Sequence, residues 1–117
     1  MLPEDHTVSL YDSLASEMRR GLLTLAVLAE CGVAQYGYSL KQGLSQRGLE
    51  INEGTLYPLL RRLEEQGLLS SQWQLADESR PRRYYLISPQ GQAALEHLSV
   101  EWRRLSRALD GLLTPEE

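Results

Sequence analysis

The stretch NEGTLYPLLRRLEEQ, residues 52–66, followed by Gly67, admits few folds. Leu56, Leu59, Leu60 and Leu63 recur at helical spacing, so they share one narrow face. Asn52 is suited to cap this helix by accepting a bond from an early backbone N–H. Glu53 follows in the first turn, where the helix dipole favours a negative charge. Gly67 supplies the stop, because glycine tolerates the left-handed turn after a helix. The opposite face of the first half carries Gly54, Tyr57, Pro58 and Arg61, with Thr55 and Arg62 at its flanks. Hydroxyls, a flat ring and two forked cations suit phosphates and base edges better than a core. Glu64 and Glu65 lie on the second half and read as solvated. Pro58 lies too deep for the first turn and removes the bond to the Gly54 carbonyl, at a cost of roughly 3 kcal/mol. It is either a tolerated kink on the wet face or a rigid apolar contact for a thymine methyl.

A length of 117 residues predicts one domain with a small core. No apolar run is long enough to span a membrane, and no secretory leader pattern opens the chain. The single cysteine, Cys31, has no internal disulfide partner, which fits a reducing, cytoplasmic setting. It ends an apolar helix and reads as a core thiol. The net charge of −4 argues against a simple basic nucleic-acid binder, but the charges are unevenly spread. Residues 41–83 sum to +1 and the remainder to −5, so a local basic strip is available for phosphates.

Taken in order, residues 1–11 show little periodicity and read as a flexible arm, with His6 solvated. A helix is expected from Asp12 to Cys31. Leu14, Met18, Leu22, Leu25, Leu28 and Ala29 form its stripe, and LLTLAVLA is apolar nearly all round, as in a helix sandwiched by protein. Gly21 within it marks a close crossing. Arg19 and Arg20 are either solvated or phosphate contacts. Tyr36 to Gln46 reads as a short helix with Tyr38, Leu40 and Leu44 in the core, Gly37 and Gly43 at tight crossings, and Gly48 as its end. Tyr36, Ser39 and Lys41 are candidates to face phosphates. This helix, a short turn and the helix at residues 52–66 make a helix-turn-helix.

Residues 68–75 and 82–88 read as strands joined by ADESRP, with Asp77, Ser79 and Pro81 making the turn. Arg80, Arg82 and Arg83 cluster at the tip and along the second strand. They either protect an edge or form a wing that lays arginines along a phosphate backbone. Ser88-Pro89 starts a last helix running to about Leu113. In it Leu95, Leu98, Trp102, Leu105, Leu109 and Leu112 repeat at three and four residues, an a/d seam. The seam either packs back on the first helix or meets a copy of itself. A lone 25-residue helix extending from a small domain favours the second, so with Leu14 and Met18 it is the expected dimer interface. Arg103, Arg104 and Arg107 are its wet flank, and His97 is solvated.

These blocks together resemble the PadR family of winged-helix transcriptional regulators. The likeness runs from about Arg20 to Leu113 and rests on LLTLAVLAE, YGYSL, EGTLYPLLRRLEEQGLL, RPRRYYLISPQG and EWRRL. It implies a homodimer on an inverted-repeat operator, with the helix at residues 52–66 in the major groove. The wing would lie on adjacent backbone or minor groove. A single helix after the wing matches the short subfamily. In drug-sensing members of that branch a tryptophan matching Trp102 stacks on planar ligands at the dimer centre. Trp102 is therefore either dimer packing or a stacking platform. Ser106 stands where the drug-sensing pattern has an acid, which leaves a neutral planar aromatic ligand, a partner protein or no ligand.

The expected fold is mainly α with a small β-hairpin. A winged helix-turn-helix DNA-binding domain occupies residues 12–88, a dimerisation helix 89–113 and a tail 114–117. The expected function is a homodimeric, sequence-specific regulator of double-stranded DNA, a repressor by preference. A winged-helix interaction module without DNA binding is the alternative. An enzyme, a cofactor and a metal site are not expected: the two histidines are far apart, and no Gly-rich phosphate loop or Cys/His cluster occurs.

Overall fold

The computed structural model describes residues 3–75 and 80–115, and the side chains of those from residue 9 onward. Four helices and one hairpin follow the order α1 (Pro3–Glu30), α2 (Gly37–Gln46), α3 (Glu53–Glu65), β1 (Leu69–Leu75), β2 (Pro81–Ile87) and α4 (Pro89–Leu113). The expected arm is corrected: α1 begins at Pro3, so residues 3–11 are helical. Proline fits there because the first helical residue has no intrahelical N–H bond to lose. The side chain of His6 and the turn residues Asp77 and Ser79 lie outside what is described.

The core is built from one face of each helix. Leu56, Leu59, Leu60 and Leu63 of α3 meet Leu23, Val27 and Leu28 of α1, Leu40 and Leu44 of α2, and Cys31, Ile51, Leu69 and Tyr85. Burying four leucines contributes about 6–12 kcal/mol from α3 alone. That outweighs the roughly 3 kcal/mol cost of Pro58, and α3 runs unbroken through it. Cys31 is fully buried, and burial pushes its thiol up to about 12. Tyr38, expected in the core, is 60% exposed. Leu40 and Leu44 already define the buried stripe of α2, and Tyr38 falls outside it, accepting a bond from Gln42 Nε2 at 3.0 Å. Gly21 meets nothing within 4 Å, so no close crossing occurs there. Gly43 packs against the Glu30 side chain, as a tight crossing requires.

The hairpin pairs antiparallel from Leu69↔Ile87 to Leu75↔Pro81. A short third rung joins it: Gln35 and Tyr85 exchange backbone bonds of 2.9 and 2.7 Å. The joint between α3, hairpin and α4 turns on Ser88. Its hydroxyl donates to the Gly67 carbonyl at 2.6 Å and accepts from Gly91 N–H at 2.9 Å. Gly67 itself has φ +81°, the left-handed conformation that glycine adopts without strain. The result is a winged helix-turn-helix from which α4 projects. The radius of gyration, 17.4 Å, exceeds the roughly 13 Å of a compact chain of this length.

Leu95 is half-buried against the core, but the rest of the α4 seam faces outward in the single chain. Leu98, Trp102, Leu105, Leu109 and Leu112 are each 40% exposed or more, as are Leu10, Leu14 and Met18 of α1. α1 also explains its all-round apolarity. Leu23, Val27 and Leu28 enter the core, while Leu22, Leu25, Ala26 and Ala29 line a cavity of about 240 Å³ against Leu95 and Trp102 of α4.

Gly91 tests the joint. A Cβ there would run into the Leu68 carbonyl and the Ile87 side chain. Gly91→Ala should therefore lose about 1–3 kcal/mol in urea denaturation, the reverse of the gain of about 0.5–1 kcal/mol that alanine brings to an unobstructed helix.

Candidate nucleic-acid interface

The exposed face of α3 is what the core leaves over. With its leucines buried, α3 presents Gly54, Tyr57, Pro58 and Arg61 to solvent, and Thr55 and Arg62 beside them. Asn52 caps the helix as expected, its Oδ1 accepting from Thr55 N–H at 2.9 Å. Among the described residues Arg61 has no hydrogen bond or ion pair, so its guanidinium remains available.

On one flank of α3 an open groove of about 640 Å³ runs between the α2 start and the wing. Tyr57 closes it from α3, its ring lying over Gly37 so tightly that a Cβ there would meet the phenol oxygen. The wing supplies Arg80, Arg82 and Arg83, with Trp73 and Tyr85 between them. Arg82 lies over the Tyr36 ring at 4.3 Å, and Tyr36 packs on Tyr84 at 5.4 Å between centroids. Tyr36 is thus a platform that holds a wing arginine. Burial raises the pKa of the Tyr85 phenol, partly opposed by Arg83. Aromatic rings interleaved with arginines can bind a phosphate backbone and pack on its sugars.

Two candidates have internal duties. Ser39 sits in the first turn of α2, where its hydroxyl donates to Gln35 Oε1 at 2.7 Å and accepts from Tyr36 N–H at 3.1 Å. Lys41 lies 4.0 Å from Glu53, both partly exposed, a pairing too long and too wet to hold it. Arg83 is an anchor. Its Nη2 meets Glu64 Oε1 at 3.0 Å, and its Nε donates to Ser71 Oγ at 3.0 Å. Ser71 in turn donates to Glu64 Oε2 at 2.6 Å. Glu64, expected to be solvated, is instead the acceptor that ties wing to reading helix. Neither Ser71 nor Glu64 stood out in the sequence. An Arg-to-Glu separation of nineteen residues gives no local signal, since only the hairpin brings the two together.

Among the described residues no group of three His, Cys, Asp or Glu side chains could hold a metal ion. No described helix is long and apolar enough to cross a membrane.

Comparison with known proteins gives a consistent answer. Residues 24–97 match the model of the transcriptional regulator PadR-like family. The chain is 41% identical over 96 residues to the transcriptional regulator Rv3488 of Mycobacterium tuberculosis, covering 81% of this chain and 89% of that protein. Its fold is similar to a PadR family transcriptional regulator from Eggerthella lenta, at TM-score 0.84 and 38% identity, over 99% of this chain and 100% of that one. A PadR-like regulator from Bacillus cereus gives TM-score 0.76 and 29% identity, over 86% and 99% of the two chains.

Glu64→Gln isolates the wing anchor. A partly exposed pair contributes about 0.2–1 kcal/mol, so amide exchange in β1 and β2 should quicken by about 1.5- to 5-fold, with the helices unaffected. Unchanged protection of the hairpin would mean that its own pairing, not Arg83, holds the wing.

Proposed function

The chain belongs to the transcriptional regulator PadR-like family, and from that premise we propose that it is a sequence-specific, DNA-binding repressor acting as a homodimer. A transcriptional regulator of this family is not an enzyme. The observation that carries the reading is the solvent face of α3, where Thr55, Tyr57, Pro58 and Arg61 are all exposed. Set in a major groove, Arg61 is the side chain suited to a guanine edge, and Pro58 offers an apolar contact to a thymine methyl. Gly54 lets the helix start lie close to the duplex. Arg80 and Arg82 reach the backbone from the wing, with Tyr36 supporting Arg82. Arg83 contributes by fixing the wing through Glu64.

The dimer reading rests on the exposed seam of Leu98, Trp102, Leu105, Leu109 and Leu112 on α4 and on Leu14 and Met18 of α1. A regular apolar stripe of this length calls for a partner helix. Two copies joined there would present two α3 helices to the two halves of an inverted repeat. A planar ligand in the cavity beside Trp102 would act on that spacing.

Both halves of the reading have direct tests. Arg61→Ala should weaken binding to a genomic fragment selected by the protein by about 5- to 150-fold, the range for losing one base contact, and reduce its preference over random DNA. Equal affinity of variant and parent would remove Arg61 from the interface. Leu98→Glu with Leu105→Glu should give monomers by light scattering with an intact helical spectrum. A dimer that survives both substitutions would mean that α4 is not the seam.

A further inference from the structure

On the flank of α3 away from the wing lies a second cleft, of about 320 Å³, between α1 and the start of α3. Its floor is apolar, with Leu23 and Leu59 nearly buried. Its rim carries three arginines, Arg19 and Arg20 from α1 and Arg62 from α3, close to Thr55 on the reading helix. Among the described residues none of the three guanidinium groups has a hydrogen bond or an ion pair. The one carboxylate in the cleft, Glu50, is engaged by Ser45, whose hydroxyl donates to its Oε2 at 2.8 Å. Three arginines elsewhere in the fold do find carboxylates: Arg47 pairs with Glu30, Arg83 with Glu64 and Arg104 with Glu101. Three arginines against one carboxylate leave the cleft with a net positive charge, which raises the local potential and favours an anion.

We infer that this cleft binds the DNA backbone, so that α1 grips the phosphate row on the flank of α3 opposite the wing. The inference rests on α3 lying in the major groove. That groove is about 12 Å wide and is walled by two backbones, and a helix with its side chains is about 10–12 Å across. A helix seated there meets phosphates on both flanks. The wing arginines serve one row. Arg19, Arg20 and Arg62 are the cations on the other side, and Thr55 adds a hydroxyl donor between them and the groove. Arg19 and Arg20 thereby set register and strength of binding without reading sequence.

The salt dependence of binding counts such contacts. Each lost phosphate contact reduces the slope of log K against log salt by about 0.9. The test is titration of a selected genomic fragment, and of random duplex, at several salt concentrations. Arg19→Gln with Arg20→Gln should flatten the slope by about 1–2 and weaken both duplexes by the same factor, leaving their ratio unchanged. Arg19→Lys with Arg20→Lys should restore most of the slope, because charge rather than packing is at issue. A parent-like slope in the Gln variant, with the parent itself steep, would overturn the α1 contact alone. A parent protein with no salt-dependent binding would overturn the contact together with the DNA-binding reading. Dimer state and helical spectrum are recorded for each variant, so that a folding defect is not scored as a lost contact.

Discussion

Burial of one leucine face of α3 sets everything else about its surface. Leu56, Leu59, Leu60 and Leu63 can enter the core in a single rotation of the helix. That rotation leaves Gly54, Tyr57, Pro58 and Arg61 outside. The reading face is therefore held by about 6–12 kcal/mol of apolar burial, not by contacts of its own. This is why it tolerates a proline whose local cost is about 3 kcal/mol. It also explains why the ends of α3 are closed on both sides. Asn52 caps the start, and Gly67 turns the chain into the hairpin with its carbonyl held by Ser88.

α1 is the other element used twice. One side of LLTLAVLA belongs to the helix-turn-helix core, and the other lines the cavity shared with Trp102. α4 therefore touches the helix-turn-helix in two places, along α1 and at the Ser88 joint. Leu23 and Val27 of α1 pack in the same core as the α3 leucines, so α1 links the α4 cavity to α3. If two chains join along α4, the spacing of the two reading helices and the packing around Trp102 are one mechanical variable.

What the sequence made legible was local. The α3 pattern, its caps, the hairpin and the Ser88-Pro89 start all carry their signal within a few residues. The errors were of two kinds. Tyr38 and the first turns of α1 failed because an aromatic near a core stripe, or a weakly periodic polar stretch, is compatible with more than one state, and tertiary context decides. Glu64, Ser71 and Gln35 escaped because their partners lie elsewhere in the chain. The Gln35–Tyr85 rung is purely a backbone contact, so no side-chain pattern could have announced it. The arginines at residues 80–83 read as one cluster in sequence. In three dimensions Arg82 rests on a tyrosine and Arg83 is held by a carboxylate.

A net charge of −4 and a DNA-facing surface are compatible because the charges that count are those left unneutralised near the ligand. Glu30 and Glu64 are matched by Arg47 and Arg83, and Glu50, hydrogen-bonded by Ser45, is the carboxylate that stays beside the cleft arginines. The arginines without a carboxylate around α3 are Arg19, Arg20, Arg61 and Arg62, in a cleft and on a face that adjoin. Ten of the sixteen acids lie outside residues 41–83 and lower the total. At an ionic strength where screening acts over about 8–10 Å, a phosphate on the reading side responds to this local set. The distant acids lie beyond that range and act on specific and random duplex alike.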